Sequence, residues 1–261
     1  MRITFLGTSH GNHTYERYNS STLLSVGDSD YLIDCGEPVA GTLVRSGIGF
    51  ERLRALFVTH MHADHVGGLS ELVNMSRKTA AQGRFECYLP EDGVAATQAY
   101  LSAIYLHPDA NPKPAPLLPV RPGLVYEDHN LRVTSAISAH LAGSFDGVRL
   151  GPEPNGKQAF SYIIEAEGKR LAFSGDICGS MKGHAMDHLA GEQLDLLVME
   201  MTHFKPHDIL PVIGQRQYRQ LALYHIHDPW HGEGEQELRD LCDKYLPFPY
   251  MIAHDGDMLE L

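Results

Sequence analysis

The chain has 261 residues, 43% of them hydrophobic, enough to bury a full core in one compact unit spanning 1–261. Its 33 acidic residues against 21 basic ones give a formal net charge of -12, which disfavours any function resting on broad neutralisation of a phosphate backbone, because that mode needs many Lys and Arg contacts. Nucleic acid held by a local patch or through metals keeps a place without being favoured, and no stretch approaches the roughly 18 apolar residues of a membrane span.

The opening Met1-Arg2-Ile3-Thr4-Phe5-Leu6-Gly7 lacks the pattern of a secretory leader. Residues 2–6 and 22–34 read as short strands, with Leu23-Leu24-Ser25-Val26 and Tyr31-Leu32-Ile33-Asp34 forming a hairpin about Gly27-Asp28-Ser29-Asp30. Residues 42–47 read as a short helix, 53–59 as a buried strand, 67–76 as a helix with Leu69, Leu72 and Val73 on one side, 85–89 as a strand and 93–106 as a helix. From His107 to Pro122, six prolines predict an extended connector or lid. Strands are expected over 131–136, 160–166, 170–174, 194–199 and 221–226, a helix over 215–221, and a weak strand at 251–253. Strand hairpins interleaved with helices, repeated twice, imply face-to-face sheets with helices outside. Neither GxGxxG nor a GxxxxGKS/T loop is present, which argues against a nucleotide-binding Rossmann or P-loop enzyme. The cysteines Cys35, Cys87, Cys178 and Cys242 form no CxxC pair, so reduced thiols and a cytoplasmic location are expected.

Sixteen histidines are the anomaly, and they are grouped. In Thr59-His60-Met61-His62-Ala63-Asp64-His65, strand periodicity points His60 and His62 the same way. Asp64 and His65 follow in the turn opening the next helix. Three imidazoles and a carboxylate suit Zn2+, and also Fe or Mn2+. One ion cannot easily take all four, so two ions are the natural outcome. Distant donors stand at later strand ends: His140, Asp176 and His225, with His227 and His231 as alternatives to the last.

The cluster His60 to His65, the later Ser138-Ala139-His140 and Phe173-Ser174-Gly175-Asp176 together resemble the metallo-β-lactamase superfamily of hydrolases. The opening Phe5-Leu6-Gly7-Thr8-Ser9, Ser20-Ser21-Thr22-Leu23-Leu24, Leu32-Ile33-Asp34-Cys35-Gly36, Leu197-Val198-Met199-Glu200-Met201-Thr202 and Ala253-His254-Asp255-Gly256-Asp257-Met258 are similar to the branch holding ribonuclease Z and the cyclic-phosphonate phosphodiesterases. The resemblance implies an α/β fold, a four-layer αββα sandwich of two packed mixed β-sheets with helices outside. It implies one ion on His60, His62 and His140, another on Asp64, His65 and His225, and Asp176 bridging both. Three departures separate the chain from ribonuclease Z. Ile226-His227-Asp228-Pro229-Trp230-His231 replaces a Ser-x-Arg-Tyr type segment, no His-Ser-Thr element stands between Glu200 and His225, and no long basic Gly-rich arm is present.

Two cations about 3.5 Å apart can share and acidify one water and neutralise phosphate oxygens as charge grows on them. The expected activity is therefore that of a dinuclear phosphodiesterase, using a metal-bridging hydroxide, on a small phosphoester, cyclic phosphate or phosphonate, or nucleotide. Thioester or lactone hydrolysis, a ribonuclease Z-like endonuclease and a non-catalytic metal-binding protein are the alternatives. Asp64 is expected to orient the water, and His203 to protonate the leaving group with Glu200 orienting it; His207 and His227 compete for that proton-donor role. His13, His184, His188 and His231 are candidates to line the mouth, Tyr15, Tyr18 and Trp230 to stack on a planar group, and Ser144 and Phe145 to touch substrate. A homodimer is expected by analogy alone.

Overall fold

The computed structural model describes residues 1–79, 85–107, 115–141, 158–177, 187–189 and 192–261. Fourteen strands are found among them: β1 Arg2–Gly7, β2 Ser21–Val26, β3 Ser29–Ile33, β4 Leu53–Phe57, β5 Glu86–Pro90, β6 Leu117–Val120, β7 Gly123–Glu127, β8 Leu131–Ser138, β9 Ala159–Ala166, β10 Lys169–Phe173, β11 Leu196–Met201, β12 Leu221–Ile226, β13 Tyr250–Ile252 and β14 Met258–Glu260. The helices are α1 Val39–Arg45, α2 Ala63–Val66, α3 Leu69–Thr79, α4 Glu91–Ala103, α5 Pro206–Ile213 and α6 Glu235–Tyr245. No helix among the described residues is long and apolar enough to cross a membrane.

The strands form two seven-stranded sheets, in the orders β14-β1-β2-β3-β4-β5-β6 and β13-β12-β11-β10-β9-β8-β7. Each mixes antiparallel hairpins with a parallel half, β3 to β6 in one and β10 to β13 in the other. Successive strand residues face opposite ways, so Phe5, Ile33, Ala55 and Phe57 enter the interface between the sheets with Phe160, Tyr162, Phe173 and Tyr224. Leu6, Leu32, Leu56 and Val58 turn outward and meet Val39, Leu43, Leu72 and Val73 of α1 and α3. On the other side Leu197, Met199, Leu221 and Leu223 meet Ile209, Leu210 and Ile213 of α5 and Leu238 and Cys242 of α6. Burial on both faces explains why β4 and β12 are apolar almost throughout. The expected αββα layering is observed.

Two local expectations are corrected. No helix occupies 215–221; the helix is α5, which opens on Pro206 at a position that needs no amide hydrogen. Residues 215–220 instead lie beside β11, where Arg219 N–H donates to the Leu194 carbonyl at 3.0 Å and Leu194 bridges Tyr218. The proline-rich connector contains β6, parallel to β5 and at the edge of its sheet among the described residues, where Pro119 is tolerated because one side has no partner strand among them. Its residues 108–114 lie outside the described segments. The strands β7 and β14 and the helix α6 were not expected.

Gly36 stands where the chain leaving β3 passes the turn around α2. A Cβ there would lie 2.3 Å from the Asp64 carbonyl and 2.6 Å from Asn19 Cβ. Gly36→Ala is expected to cost about 1–3 kcal/mol, the usual range for overpacking. A urea unfolding midpoint unchanged from wild type would contradict that close approach.

Candidate metal centre

The parallel halves of both sheets deliver their C-terminal ends to one edge. Beyond β4 the chain is held against the opposite sheet, because Phe160 N–H donates to the Thr59 carbonyl at 2.9 Å and Tyr162 O–H to that of Val58 at 2.7 Å. His60 and His62 follow, and α2 begins immediately after His62, placing Asp64 and His65 in its single turn. His140 lies just past β8, Asp176 just past β10, and His225 within β12. Gly175 precedes Asp176 with φ +56°, and its missing Cβ would lie 2.7 Å from the Phe160 carbonyl.

These seven side chains form two donor groups, His60, His62, His140 and Asp176 in one and Asp64, His65 and His225 in the other. In the first, His60 Nε2 is 2.8 Å and His140 Nε2 3.3 Å from His62 Nδ1. Both Nε2 atoms lie 3.6 Å from Asp176 Oδ2. In the second, His65 Nε2 and His225 Nε2 are each 3.3 Å from Asp176 Oδ1, and 3.3 and 3.8 Å from Asp64 Oδ2. Asp176 thus turns one oxygen to each group. Nitrogens each about 2.05 Å from a tetrahedral ion stand about 3.3 Å apart, so the spacings fit a cation in each group. His65 Nε2 and Asp176 Oδ1 are sealed from water without a hydrogen-bond partner. Orphaned buried polar atoms of this kind call for an ion or water, and the donor chemistry suits divalent metals.

The charges agree. Burial would raise the Asp176 carboxyl, but His225, His65 and His60 outweigh it and hold it well below the ordinary carboxylate range. Burial opposes ionisation of Asp64 too, yet chiefly through His65 it is held at about 2. Burial would strip His65 of its proton; Asp176, Asp34 and Asp64 overcome this and raise its pKa well above the ordinary value. His60, buried with no such excess of carboxylates, is pushed well down, and burial brings His140 to about 4.

Glu200 is fully buried in β11 and accepts from the backbone N–H of Ile177, Thr202 and His203 at 2.8, 2.9 and 3.0 Å. Its carboxylate also lies 2.9 Å from His203 Nδ1, which in turn is 3.9 Å from Asp176 Oδ2. Burial opposes the charged His203, but Glu200 raises it to about 9. The ring is 26% exposed and touches His140 at 4.6 Å between centroids. Asp176, Glu200 and His203 form a third cluster of donors continuous with the first.

The other candidates scatter. His227 and His231 pack on His10, with centroids 5.1 and 6.2 Å away, so neither replaces His225 in its donor group. His207 pairs with Asp208 at 3.5 Å on α5, and His13 meets Tyr18. Tyr15 is fully exposed, Tyr18 is exposed, and Trp230 packs partly against the α5–α6 core. Ser144, Phe145 and His184, and the side chain of His188, lie outside the described residues, as does Cys178.

Sequence reasoning gave no role to the groups behind the donors. Asp34, at the end of β3 with φ +59°, accepts from Thr59 N–H at 2.7 Å and Thr59 O–H at 3.0 Å, and lies 2.8 Å from His65 Nδ1. Because the Thr59 hydrogen goes to Asp34, its oxygen accepts from His60 Nδ1 at 3.1 Å. Both rings therefore present Nε2 toward the donor groups. The available signal was a carboxylate closing an apolar strand.

A family model described as "Anti-Pycsar protein Apyc1" matches residues 1–103. Ribonuclease Z of Cyanothece sp. is 28% identical over 99% of this chain and 75% of its own length. Ribonuclease Z of Acaryochloris marina is 35% identical over 58% of this chain, which spans 47% of that relative. Among solved structures, the metallo-β-lactamase fold protein YhfI from Bacillus subtilis superposes with a TM-score of 0.76 at 16% identity, covering 99% of this chain and 98% of that one. Human tRNase Z, short form, gives 0.70 at 19% identity, covering 100% and 99%. A diphosphatase from the PhnP family gives 0.70 at 18% identity, covering 100% and 97%. The architecture is the metallo-β-lactamase fold. In sequence the chain is similar to ribonuclease Z, and in fold to human tRNase Z and the PhnP-family diphosphatase as well.

Asp176, Asp34 and Asp64 raise the His65 pKa above the ordinary imidazole value, so a divalent ion competes with a proton for this ring. Adding Zn2+ or Mn2+ to the metal-free protein at pH 7 is expected to release protons, with affinity falling as the pH is lowered. Calorimetry in buffers of different ionisation enthalpy measures the release, and proton-neutral uptake would contradict the arrangement.

Proposed function

We propose that the protein is a phosphodiesterase dependent on two divalent cations, acting on a small phosphoester, a cyclic phosphate or phosphonate, or a nucleotide. The carrying observation is the position of His203, gripped by the buried Glu200 and set beside Asp176, the carboxylate that the two donor groups share. An alkoxide leaving from phosphorus needs a proton, whereas a thiolate leaving from a thioester does not.

In this reading His60, His62, His140 and Asp176 Oδ2 would hold one ion, and Asp64, His65, His225 and Asp176 Oδ1 the other. Zn2+ is the first choice for so many nitrogen donors, with Mn2+ or Fe next. Bound there, the ions would supply positive charge for the phosphoryl oxygens and an acidified water. Asp64, ionised, accepts a hydrogen bond from the attacking water and orients it. Glu200 holds the His203 ring in place and keeps it protonated, and His203 gives its proton to the departing oxygen. The Asp34 and Thr59 contacts hold His65 and His60 in the tautomers that leave Nε2 free. The proposal includes a single folding unit over 1–261, supported by the pairing of β14 with β1, and a cytoplasmic site of action.

A ribonuclease Z-type endonuclease is the second reading, favoured by the relatives of that name. The net charge of -12 and the segment Ile226 to His231 weigh against it. Metal-loaded enzyme is expected to turn over bis(p-nitrophenyl) phosphate and to leave a thioester panel and a precursor tRNA largely untouched. Negligible phosphodiester turnover with both ions bound would sink the proposal, and cleavage of the precursor would install the second reading. His62→Ala should abolish hydrolysis while the fold survives.

His203→Ala should lower kcat by about 10²–10⁴-fold on a diester with an alkyl leaving group. It should do far less harm on bis(p-nitrophenyl) phosphate, whose phenolate departs without a proton. Equal losses on the two substrates would remove His203 from the proton-donor role.

A further inference from the structure

We infer that Ser20 is a positioning residue for the second donor group, fixing which nitrogen of His225 carries the proton; the inference rests on the two-cation reading above. Ser20 is fully buried in the loop before β2. Its Oγ lies 2.6 Å from His225 Nδ1 and 3.2 Å from the Ser9 carbonyl oxygen. The hydroxyl has one hydrogen, and a carbonyl can only accept. When that hydrogen goes to Ser9, the serine oxygen must accept from His225, so Nδ1 carries the imidazole proton. The free lone pair is then on Nε2, the atom 3.3 Å from Asp176 Oδ1.

The same logic holds His65 through Asp34 and His60 through Thr59. Ser20 supplies the third instance, with a neutral hydroxyl and a carbonyl in place of a carboxylate.

Both ends of this relay are held. Ser9 N–H donates to the Tyr18 carbonyl at 2.7 Å, Ser9 Oγ donates to the Asn12 carbonyl at 2.6 Å, and Ile226 N–H donates to the Thr8 carbonyl at 2.9 Å, tying the loop to the end of β12. The fully buried Arg17 donates to Thr8 Oγ1 at 2.7 Å and to the Ala253 carbonyl, and Asp255 accepts from Thr8 and Tyr18. His225 itself has φ +50°, and its carbonyl accepts from Thr202 Oγ1 at 2.5 Å. A ring carried on so unusual a backbone conformation is set from behind by Ser20 and in front by Asp64 and Asp176.

The test compares wild type, Ser20→Ala and Ser20→Thr as full-length protein. In competition against a chromogenic chelator, wild type should take two Zn2+ ions. Ser20→Ala should keep one at wild-type affinity and lose about 10–100-fold on the other, the usual penalty for removing a partner behind a ligand. Ser20→Thr, which restores the hydroxyl, should recover both. Unchanged affinities in Ser20→Ala, or equal weakening of both ions, would overturn the inference. A second measurement does not depend on metal: nitrogen-15 imidazole spectra of the metal-free wild type should show His225 protonated at Nδ1, with Ser20→Ala gaining the Nε2–H form. A proton on Nε2 in wild type overturns the assignment. Wild type binding fewer than two ions would instead defeat the two-cation reading, and the spectra would still decide the part of Ser20.

Discussion

Everything at the site depends on burying the Asp176 carboxylate among imidazoles. A charge taken out of water costs several kcal/mol after relaxation, and no Lys or Arg contact compensates Asp176 among the described residues. Its compensation comes from His225, His65 and His60, three rings from two different sheets. The arrangement holds only if both sheets end at the same edge and the loop after β4 is clamped to β9. The hydrogen bonds from Phe160 and Tyr162 into Thr59 and Val58 provide that clamp. The inter-sheet core of Phe57, Phe160, Tyr162 and Phe173 therefore sets the spacing of the donor groups as well as contributing to stability.

That dependence explains what could be read from the linear chain. His60, His62, Asp64 and His65 lie within six positions, and strand periodicity followed by a helix start is a local rule, so their convergence follows without tertiary knowledge. His140 and Asp176 stand just past apolar strands and His225 near the end of one, positions where α/β sheets gather functional groups. His225 could not be separated from His227 and His231 by pattern alone, because the three lie within seven residues and only the path of β12 decides which ring faces Asp176. The misplaced helix over 215–221 has the opposite cause: Gln, Arg and Leu favour helix locally, but the segment is taken up by pairing beside β11.

Asp34, Thr59 and Ser20 mark the limit of such reading. Each is an ordinary residue in an ordinary place by local rules, and each has its consequence through a ring contributed elsewhere. A hydroxyl that must donate to one neighbour is forced to accept from the other, so a hydrogen-bond inventory over the folded chain, and not a motif, decides the tautomers of His60 and His225. Left-handed backbone at Asp34 and at His225 belongs to the same pattern. Non-glycine residues held there cost of order 1–3 kcal/mol and persist where the surroundings over-determine them, and here the surroundings are the hydrogen bonds that aim the two side chains.

Glu200 and His203 show how a compact segment can serve a site built from remote parts. The carboxylate accepts backbone N–H bonds from Thr202 and His203 in the turn that follows β11 and from Ile177 beyond β10, so it is fixed before it meets the imidazole. His203 is three residues away on that turn and has little freedom to leave. It lies between His140 and His225, one from each donor group, at ring separations of 4.6 and 6.2 Å. The ring stands nearer the first group, on the side of Asp176 Oδ2. An in-line displacement needs the proton on the departing oxygen and the attacking water opposite it. In the proposed hydrolysis, with Asp64 on the second group and His203 against the first, the two roles would fall to opposite ends of the shared carboxylate.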